Sequence, residues 1–299
     1  MRRRSSFRNR FEYLLTRAVL ATLARTPLGL AGVLARCYVR LLDLAVPRLR
    51  RTALRNLELA FPEATASRRA EIANGVFASL ARLMVVFSRF PQIRRDNVKE
   101  WIRYEGFEHF EAALARGKGV LFATAHLGAW ELSAFAHAWM AAPMHVVVRP
   151  LDNPLLDAFV ERYRSLSGNR LIGKKEFARS ILRALAANEA VGILVDQNVG
   201  LEDAVFVDFF GVPAASGAAF ARIAARTGAA VIPGFAVWSE PEGRYILRFY
   251  PPVEITGDLR ADTERVQAAI EAAIREYPGQ WLWIHRRWKT RPAGCVPLY

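Results

Sequence analysis

Short apolar runs alternate along the chain with longer stretches in which apolar residues recur every three or four positions. Ile72, Val76, Leu80, Leu83 and Phe87 are spaced by four, four, three and four, which places them on one stripe of a helix over 66–90. The runs at 119–125 (GVLFATA), 146–149, 191–196, 205–210 and 230–236 are short and continuous, the pattern of strands buried on both faces. The segment 245–250 alternates and predicts an edge or antiparallel strand. Helical segments are expected between these at 129–140, 154–165, 175–187 and 217–227. Val266, Ile270, Ile274 and Tyr277 form a last helical stripe. Strands alternating with helices predict an α/β fold, a mixed sheet flanked by helices.

The first 47 residues follow a different pattern. A largely apolar stretch over 18–46 is interrupted by Arg25, Arg36 and Arg40, and its longest charge-free run is the ten residues from Thr26 to Ala35. That falls short of the roughly 20 apolar residues a spanning helix needs. No small-residue cleavage site follows a compact apolar core, so a cleaved export signal is not expected. On a single helix Arg17, Arg25, Arg36 and Arg40 would fall within an arc of about 140°. Leu, Val and Ala fill the rest of the wheel, as in a helix lying in a membrane interface with its basic side toward lipid phosphates. Pro27 is expected to split the stretch in two. The competing reading is an amphipathic helix packed on the protein's own core. The expected organisation is an N-terminal basic helical region over 1–47 and a catalytic region over 48–299.

Charge and composition narrow the partners only coarsely. Forty-two Lys and Arg against 28 Asp and Glu give a net charge of +14 among 299 residues, which favours a polyanionic partner without choosing one. A hydrophobic content of 53% supplies a large core and excludes wholesale disorder. Two cysteines, Cys37 and Cys295, exclude a disulfide-stapled scaffold and a multi-cysteine zinc site.

The run GVLFATA leads directly into His126-Leu127-Gly128-Ala129-Trp130-Glu131. On one continuous helix His126 and Glu131 would stand about 140° apart and could not meet. With His126 on the turn after the strand and Glu131 on the first turn of the next helix, they can. Gly128 allows the sharp turn. Glu131 would then accept from one imidazole nitrogen and leave the other as a base. No serine or cysteine nucleophile accompanies the pair, which suits activation of a substrate hydroxyl. A turn histidine beside an unrelated glutamate is the alternative.

HLGAWE is similar to the H-x-x-x-x-(D/E) motif of the lysophospholipid acyltransferase superfamily. Six further segments narrow the resemblance to the lipid A late acyltransferases, the lauroyl and myristoyl transferase type. They are RNLELAFPE (55–63), VVRPLDNP (147–154), VGILVDQN (191–198), FVDFFGVPA (206–214), TGAAVIP (227–233) and YPGQWLWIHRRWKTRP (277–292). The resemblance implies a glycerolipid acyltransferase-like fold with membrane-associated N-terminal helices. It implies transfer of a fatty acyl chain from acyl carrier protein to a hydroxyl of a lipid A precursor, with no cofactor and no metal. His126 would take the hydroxyl proton and Glu131 would hold and polarise His126. Arg149 would contact phosphate or the oxyanion, and Arg164 is a second basic substrate-binding candidate. Asp196 falls on the family's DQ motif, where a charged partner or a substrate hydroxyl is expected. Against these stand a solvated strand-end arginine for Arg149 and a helix cap or structural ion pair for Asp196. The location implied is the cytoplasmic face of the inner membrane, peripheral or monotopic, with anionic lipid as acceptor and the basic surface steering the acidic carrier protein. Gly279, where the family often has Glu, and Ser216, where threonine is usual, depart from the pattern and bear on the acceptor rather than the reaction.

Other signals are decoys. Gly168 to Lys175 lacks the Ser or Thr of a phosphate-binding loop. No G-x-S-x-G elbow occurs. His109, His137 and His145 have no metal-ligand spacing. The tail Trp281–Arg291 mixes tryptophans with cations, which permits a packed C-terminal helix, contact with lipid or carrier protein, or stacking on nucleic acid. Nucleic acid is not the expected partner. Two rivals remain: the same chemistry with acyl-CoA as donor and a lysophospholipid or glycolipid as acceptor, and a non-catalytic basic protein that binds anionic membrane or nucleic acid.

Overall fold

The computed structural model describes residues 5–173 and 177–299. Helices α1 (Ser6–Arg25) and α2 (Leu28–Ala45) break at Pro27 as expected, because the residue before a proline is pushed to extended backbone. Thr26 sits at φ −77°, ψ 137°. The arginine arc drawn for one helix is thereby divided between two. A third helix, α3 (Arg48–Ala60), precedes α4 (Ala66–Ser88), whose N-cap Thr65 accepts from Arg68 N–H at 3.1 Å. Leu23, Ala31, Ala35 and Val39 pack against Phe77, Ala81 and Val85 of α4. By length and composition α4 is able to cross a membrane, yet 56% of its most apolar window is buried inside the protein.

The remaining elements are α5 (Val98–Trp101), β1 (Ile102–Glu105), α6 (Phe107–Leu114), β2 (Val120–Thr124), α7 (Trp130–Met140), β3 (His145–Val147), α8 (Pro154–Arg164), β4 (Arg170–Ile172), α9 (Phe177–Ala186) and β5 (Ala190–Leu194). They are followed by β6 (Ala204–Phe209), β7 (Val212–Gly217), α10 (Ala219–Thr227), β8 (Ala230–Ser239), β9 (Arg244–Phe249) and α11 (Leu259–Glu276). Seven strands form one sheet in the order β1-β9-β8-β2-β5-β3-β4, parallel throughout except for the antiparallel pair β8–β9. This is the expected mixed α/β sheet flanked by helices.

Its central strands are apolar on both faces because both are covered. Leu121, Ala123, Val191 and Val231 point into one cluster beneath α9, α10 and α11, and Val120, Phe122, Ala190 and Ile232 point into the other beneath α6 and α7.

Three expectations change. The strand expected at 205–210 leaves the main sheet and pairs with β7 as a separate hairpin, turning at Phe210 and Gly211 with φ of 57° and 74°. Gly217 belongs to β7, so the helix expected from 217 begins at Ala219. The segment 245–250 is antiparallel as expected but not an edge, because β1 lies outside it. The helix start expected at Lys175 lies outside the described residues, as does the end of the rejected phosphate loop.

Candidate active site

Strands β2 and β5 are parallel neighbours, so their C-terminal ends emerge side by side. His126 follows the first and Asp196 the second. His126 Nδ1 lies 2.9 Å from Asp196 Oδ1, and His126 N–H donates to Asp196 Oδ2 at 2.9 Å. Trp281 Nε1–H donates to the same carboxylate at 2.7 Å. Asp196 is 1% exposed. Burial alone would raise its pKa, but the charge of His126 and these N–H donors prevail and hold it down at about 2. Burial works against the charged imidazole, and Asp196 outweighs it, so the pKa of His126 is raised above 6.5.

With Nδ1–H committed to Asp196, Nε2 is the ring nitrogen that carries the lone pair. It lies 3.3 Å from the side-chain nitrogen of Gln197, an amide donor. The ring packs against Trp130 at 5.2 Å and lines a cavity of 1010 Å³.

The loop carrying His126 has little room to differ. Gly128 has φ +62°, and a Cβ there would lie 2.0 Å from Ala236 O. Gly128 N–H donates to Gln280 O at 2.9 Å, Ala129 N–H to Ala236 O at 2.8 Å, and Leu282 N–H to His126 O at 3.0 Å. Segment 280–282 therefore clamps the loop from outside the sheet.

Glu131 stands on the first turn of α7, as expected, but does not hold His126. Both its oxygens accept from Arg164, at 2.8 Å from Nε and 2.5 Å from Nη2. The end of β5 presents a carboxylate directly to the ring and backbone N–H of His126, while α8 ends opposite α7 and delivers Arg164 to Glu131. Glu131 still favours the charged imidazole through space, and Arg164 opposes it.

Two expected substrate contacts change accordingly. Asp196 is sealed behind His126 and serves as its partner instead of touching substrate. Arg164 lines the cavity, but its guanidinium is occupied by Glu131. Arg149 is exposed at the cavity mouth and has no carboxylate partner among the described residues.

The tail is packed and irregular, not the helix allowed for. Trp281, Trp283 and Trp288 are buried, which leaves none of them for lipid or nucleic acid. Asn56 Nδ2 donates to Trp283 O at 2.6 Å and to His285 O at 2.7 Å. His285 is structural: its Nε2 accepts Asn198 N–H at 3.2 Å, and burial lowers its pKa to about 4. Arg287 is fully buried and donates to Ala215 O, Ser216 Oγ and Gln267 Oε1 at 2.7, 2.6 and 3.1 Å. Burial lowers its pKa to about 10. Ser216 is therefore a hydroxyl acceptor inside the protein. Gly279 lies against Gly75 of α4, where a Cβ on Gly75 would come within 2.9 Å of Gly279 Cα.

Sequence reasoning missed the roles of Trp281 and Gln197. The signal available was a DQ motif and a tryptophan-rich tail in one chain, a buried carboxylate and an indole N–H that can satisfy each other.

The family model for bacterial lipid A biosynthesis acyltransferases matches residues 2–290. The chain is 30% identical over 270 residues to the lipid A biosynthesis palmitoleoyltransferase of Escherichia coli K12, covering 90% of this chain and 85% of that protein. It is 30% identical over 250 residues to the lauroyltransferase of the same organism, covering 82% and 80%. It is 26% identical over 245 residues to a lipid A biosynthesis acyltransferase of Haemophilus influenzae, covering 82% and 77%. A match of this extent, over a sheet-end histidine that opens on a large cavity, makes the chain an acyltransferase and a member of the bacterial lipid A biosynthesis acyltransferase family.

Proposed function

We propose that the enzyme transfers a fatty acyl chain from the thioester of acyl carrier protein to a hydroxyl of a lipid A precursor, at the cytoplasmic face of the inner membrane. The observation that carries this reading is the orientation of His126. Asp196 fixes the Nδ1–H tautomer, and the ring lines a cavity that carries Arg149, Asp152 and Asp203 beside apolar side chains such as Phe122, Val146 and Ile193.

In this mechanism Nε2 removes the proton of the acceptor hydroxyl as its oxygen attacks the thioester carbonyl. Asp196 and the field of Glu131 stabilise the imidazolium. The Gln197 amide, beside Nε2, donates to the developing oxyanion, an interaction typically worth about 2.7–4 kcal/mol. Collapse of the tetrahedral intermediate breaks the carbon–sulfur bond, and the imidazolium returns its proton to the departing thiolate. Arg149, exposed on the cavity lining and without a carboxylate partner among the described residues, binds a phosphate of the acceptor. The Glu131–Arg164 pair shapes the same wall.

Membrane contact is assigned to α1 and α2. Phe7, Phe11, Leu14 and Leu15 on the first and Leu30, Leu41 and Leu44 on the second are exposed, Phe7 to 80%, on a surface that also carries Arg17, Arg25 and Arg36. Apolar side chains beside cations suit an anionic lipid interface. The net charge of +14 also suits an acidic carrier protein.

The test is His126→Ala, assayed with acyl carrier protein thioester and lipid A precursor in anionic vesicles. The variant should keep its far-ultraviolet spectrum and lose transfer by at least about 100-fold. Thioester consumption at the wild-type rate would overturn the mechanism. Equal turnover with acyl-CoA would overturn the donor assignment.

A further inference from the structure

A second cavity, of 510 Å³, lies between α1 and α8, and none of the residues that line it borders the catalytic one. On α8, Phe159, Arg162 and Tyr163 face this second cavity while Arg164 faces the first. The helical period accounts for the division: at about 100° per residue, Arg164 stands about 140° from Phe159 and about 160° from Arg162.

The wall formed by α1 is tied to the domain at two places. Toward its N-terminal end, Asn153 Nδ2 donates to Asn9 O and to Glu12 Oε2, both at 3.0 Å, and Tyr13 meets Phe159 edge-on at 6.2 Å. Toward its C-terminal end, carbonyls of the last turn accept from the segment after α4: Leu23 O from Arg89 Nη2 at 3.0 Å and Ala24 O from Gln92 Nε2 at 3.3 Å. The cavity spans the gap between these attachments.

Its lining carries one sign of charge. Arg17, Arg25 and Arg162 border it and no Asp or Glu does. None of the three arginines has a carboxylate partner among the described residues. Guanidinium groups gathered around one cavity repel one another, and an oxyanion that accepts from them removes that cost. Leu20, Ala24, Phe159 and Leu166 supply an apolar part.

The place of the cavity on α1 indicates the source of the anion. With Tyr13 set to zero on a helical wheel, the lining positions run from Leu20 at about −20° to Arg25 at about 120°. The exposed Leu14, Phe7 and Phe11 stand at about 100°, 120° and 160°. The cationic edge therefore adjoins the apolar stripe assigned to the membrane. An anion that arrives from a bilayer brings an apolar body with it, which Leu20 and Phe159 accommodate and a free anion does not need. We propose that this cavity binds the headgroup of an anionic glycerophospholipid, its phosphate on Arg17, Arg25 and Arg162 and its glyceryl end against Leu20 and Phe159. The volume is that of a small-molecule site. The proposal rests on the assignment of α1 to the membrane.

The experiment titrates the full-length protein in a calorimeter with dihexanoyl phosphatidylglycerol below its micelle concentration, beside dihexanoyl phosphatidylcholine and inorganic phosphate. The wild type should bind the first more tightly than either of the others. Arg17→Gln and Arg162→Gln, both at exposed positions, should each weaken that binding by about tenfold or more. Arg226→Gln, which removes the same charge from the exposed face of α10, should leave it unchanged. Equal binding by wild type and the two cavity variants, or equal losses in all three, would overturn the site. Inorganic phosphate binding as tightly as the lipid would overturn the lipid as its ligand. A wild type that binds the soluble lipid through these arginines yet fails to sediment with phosphatidylglycerol vesicles would instead overturn the membrane assignment of α1.

Discussion

The two ends of the chain have similar compositions and opposite fates. Both mix arginine with large apolar or aromatic side chains, and from sequence both were open to a lipid interface. At the N-terminal end Phe7, Phe11 and Leu14 stand in solvent, and at the C-terminal end Trp281, Trp283, Trp288 and Arg287 are among the most buried side chains. Polar atoms account for the difference. Each tail tryptophan nitrogen has an acceptor: Asp196 for Trp281, Pro278 O for Trp283 and Val212 O for Trp288. Arg287 makes three hydrogen bonds. A buried donor is costly unless paired, and the fold supplies partners, most of them from far along the chain, for all of these donors but Arg287 Nε. The phenylalanines of α1 need no partners and find no neighbours to cover them, so an exposed stripe remains.

That contrast can be broken most severely at Asp196, the point where the tail meets the chemistry. Asp196→Asn should lower kcat by about 100- to 10,000-fold. Because the carboxylate raises the pKa of His126, its loss should also move the acid limb of the pH–rate profile to lower pH. A base must be deprotonated to act, so activity falls as pH drops through the raised value in the wild type and through a lower one in the variant. A fall in rate with an unmoved limb would reduce Asp196 to a structural residue.

Next in size is the tail itself. Trp283→Ala removes a fully buried ring and should cost about 3–5 kcal/mol, read as a lower midpoint in urea. If it costs under about 1 kcal/mol, the tail is peripheral to the core and the contrast between the two ends fails.

The smallest effect on folding, and the sharpest separation, is expected at α1. Changing Phe7, Phe11 and Leu14 together to Ser should shift stability by under about 0.5 kcal/mol per site. It should still weaken sedimentation with anionic vesicles by at least tenfold, since burying one such side chain is worth about 1.5–3 kcal/mol. Unchanged vesicle binding would place the membrane contact elsewhere.

Much of this architecture was legible because its signals are local. Runs such as GVLFATA have both faces covered, and the stripe of α4 repeats at helical spacing. The short elements α5, β1 and β4, each of four residues or fewer, were not legible, since three or four residues carry no period. The hairpin was missed because Phe206–Phe209 reads as a core strand whichever sheet receives it. In the site, His126 was found from the strand-to-turn context and Glu131 from spacing, but spacing cannot say which carboxylate a ring will face. That depends on β2 and β5 being neighbours, a fact of strand order. For the same reason the arginine expected to meet substrate, Arg164, is instead held by Glu131.

The bonds that set the base join segments remote in sequence: Trp281 to Asp196 across 85 residues, and Leu282 N–H to His126 O across nearly twice that. The strand pairs of the sheet have the same reach, β2 with β8 across 110 residues and β1 with β9 across 143. Sheet and base are thus assembled from contacts of one range, the kind that makes folding slow, and the imidazole is held by the closure of the whole domain and not by its own neighbourhood.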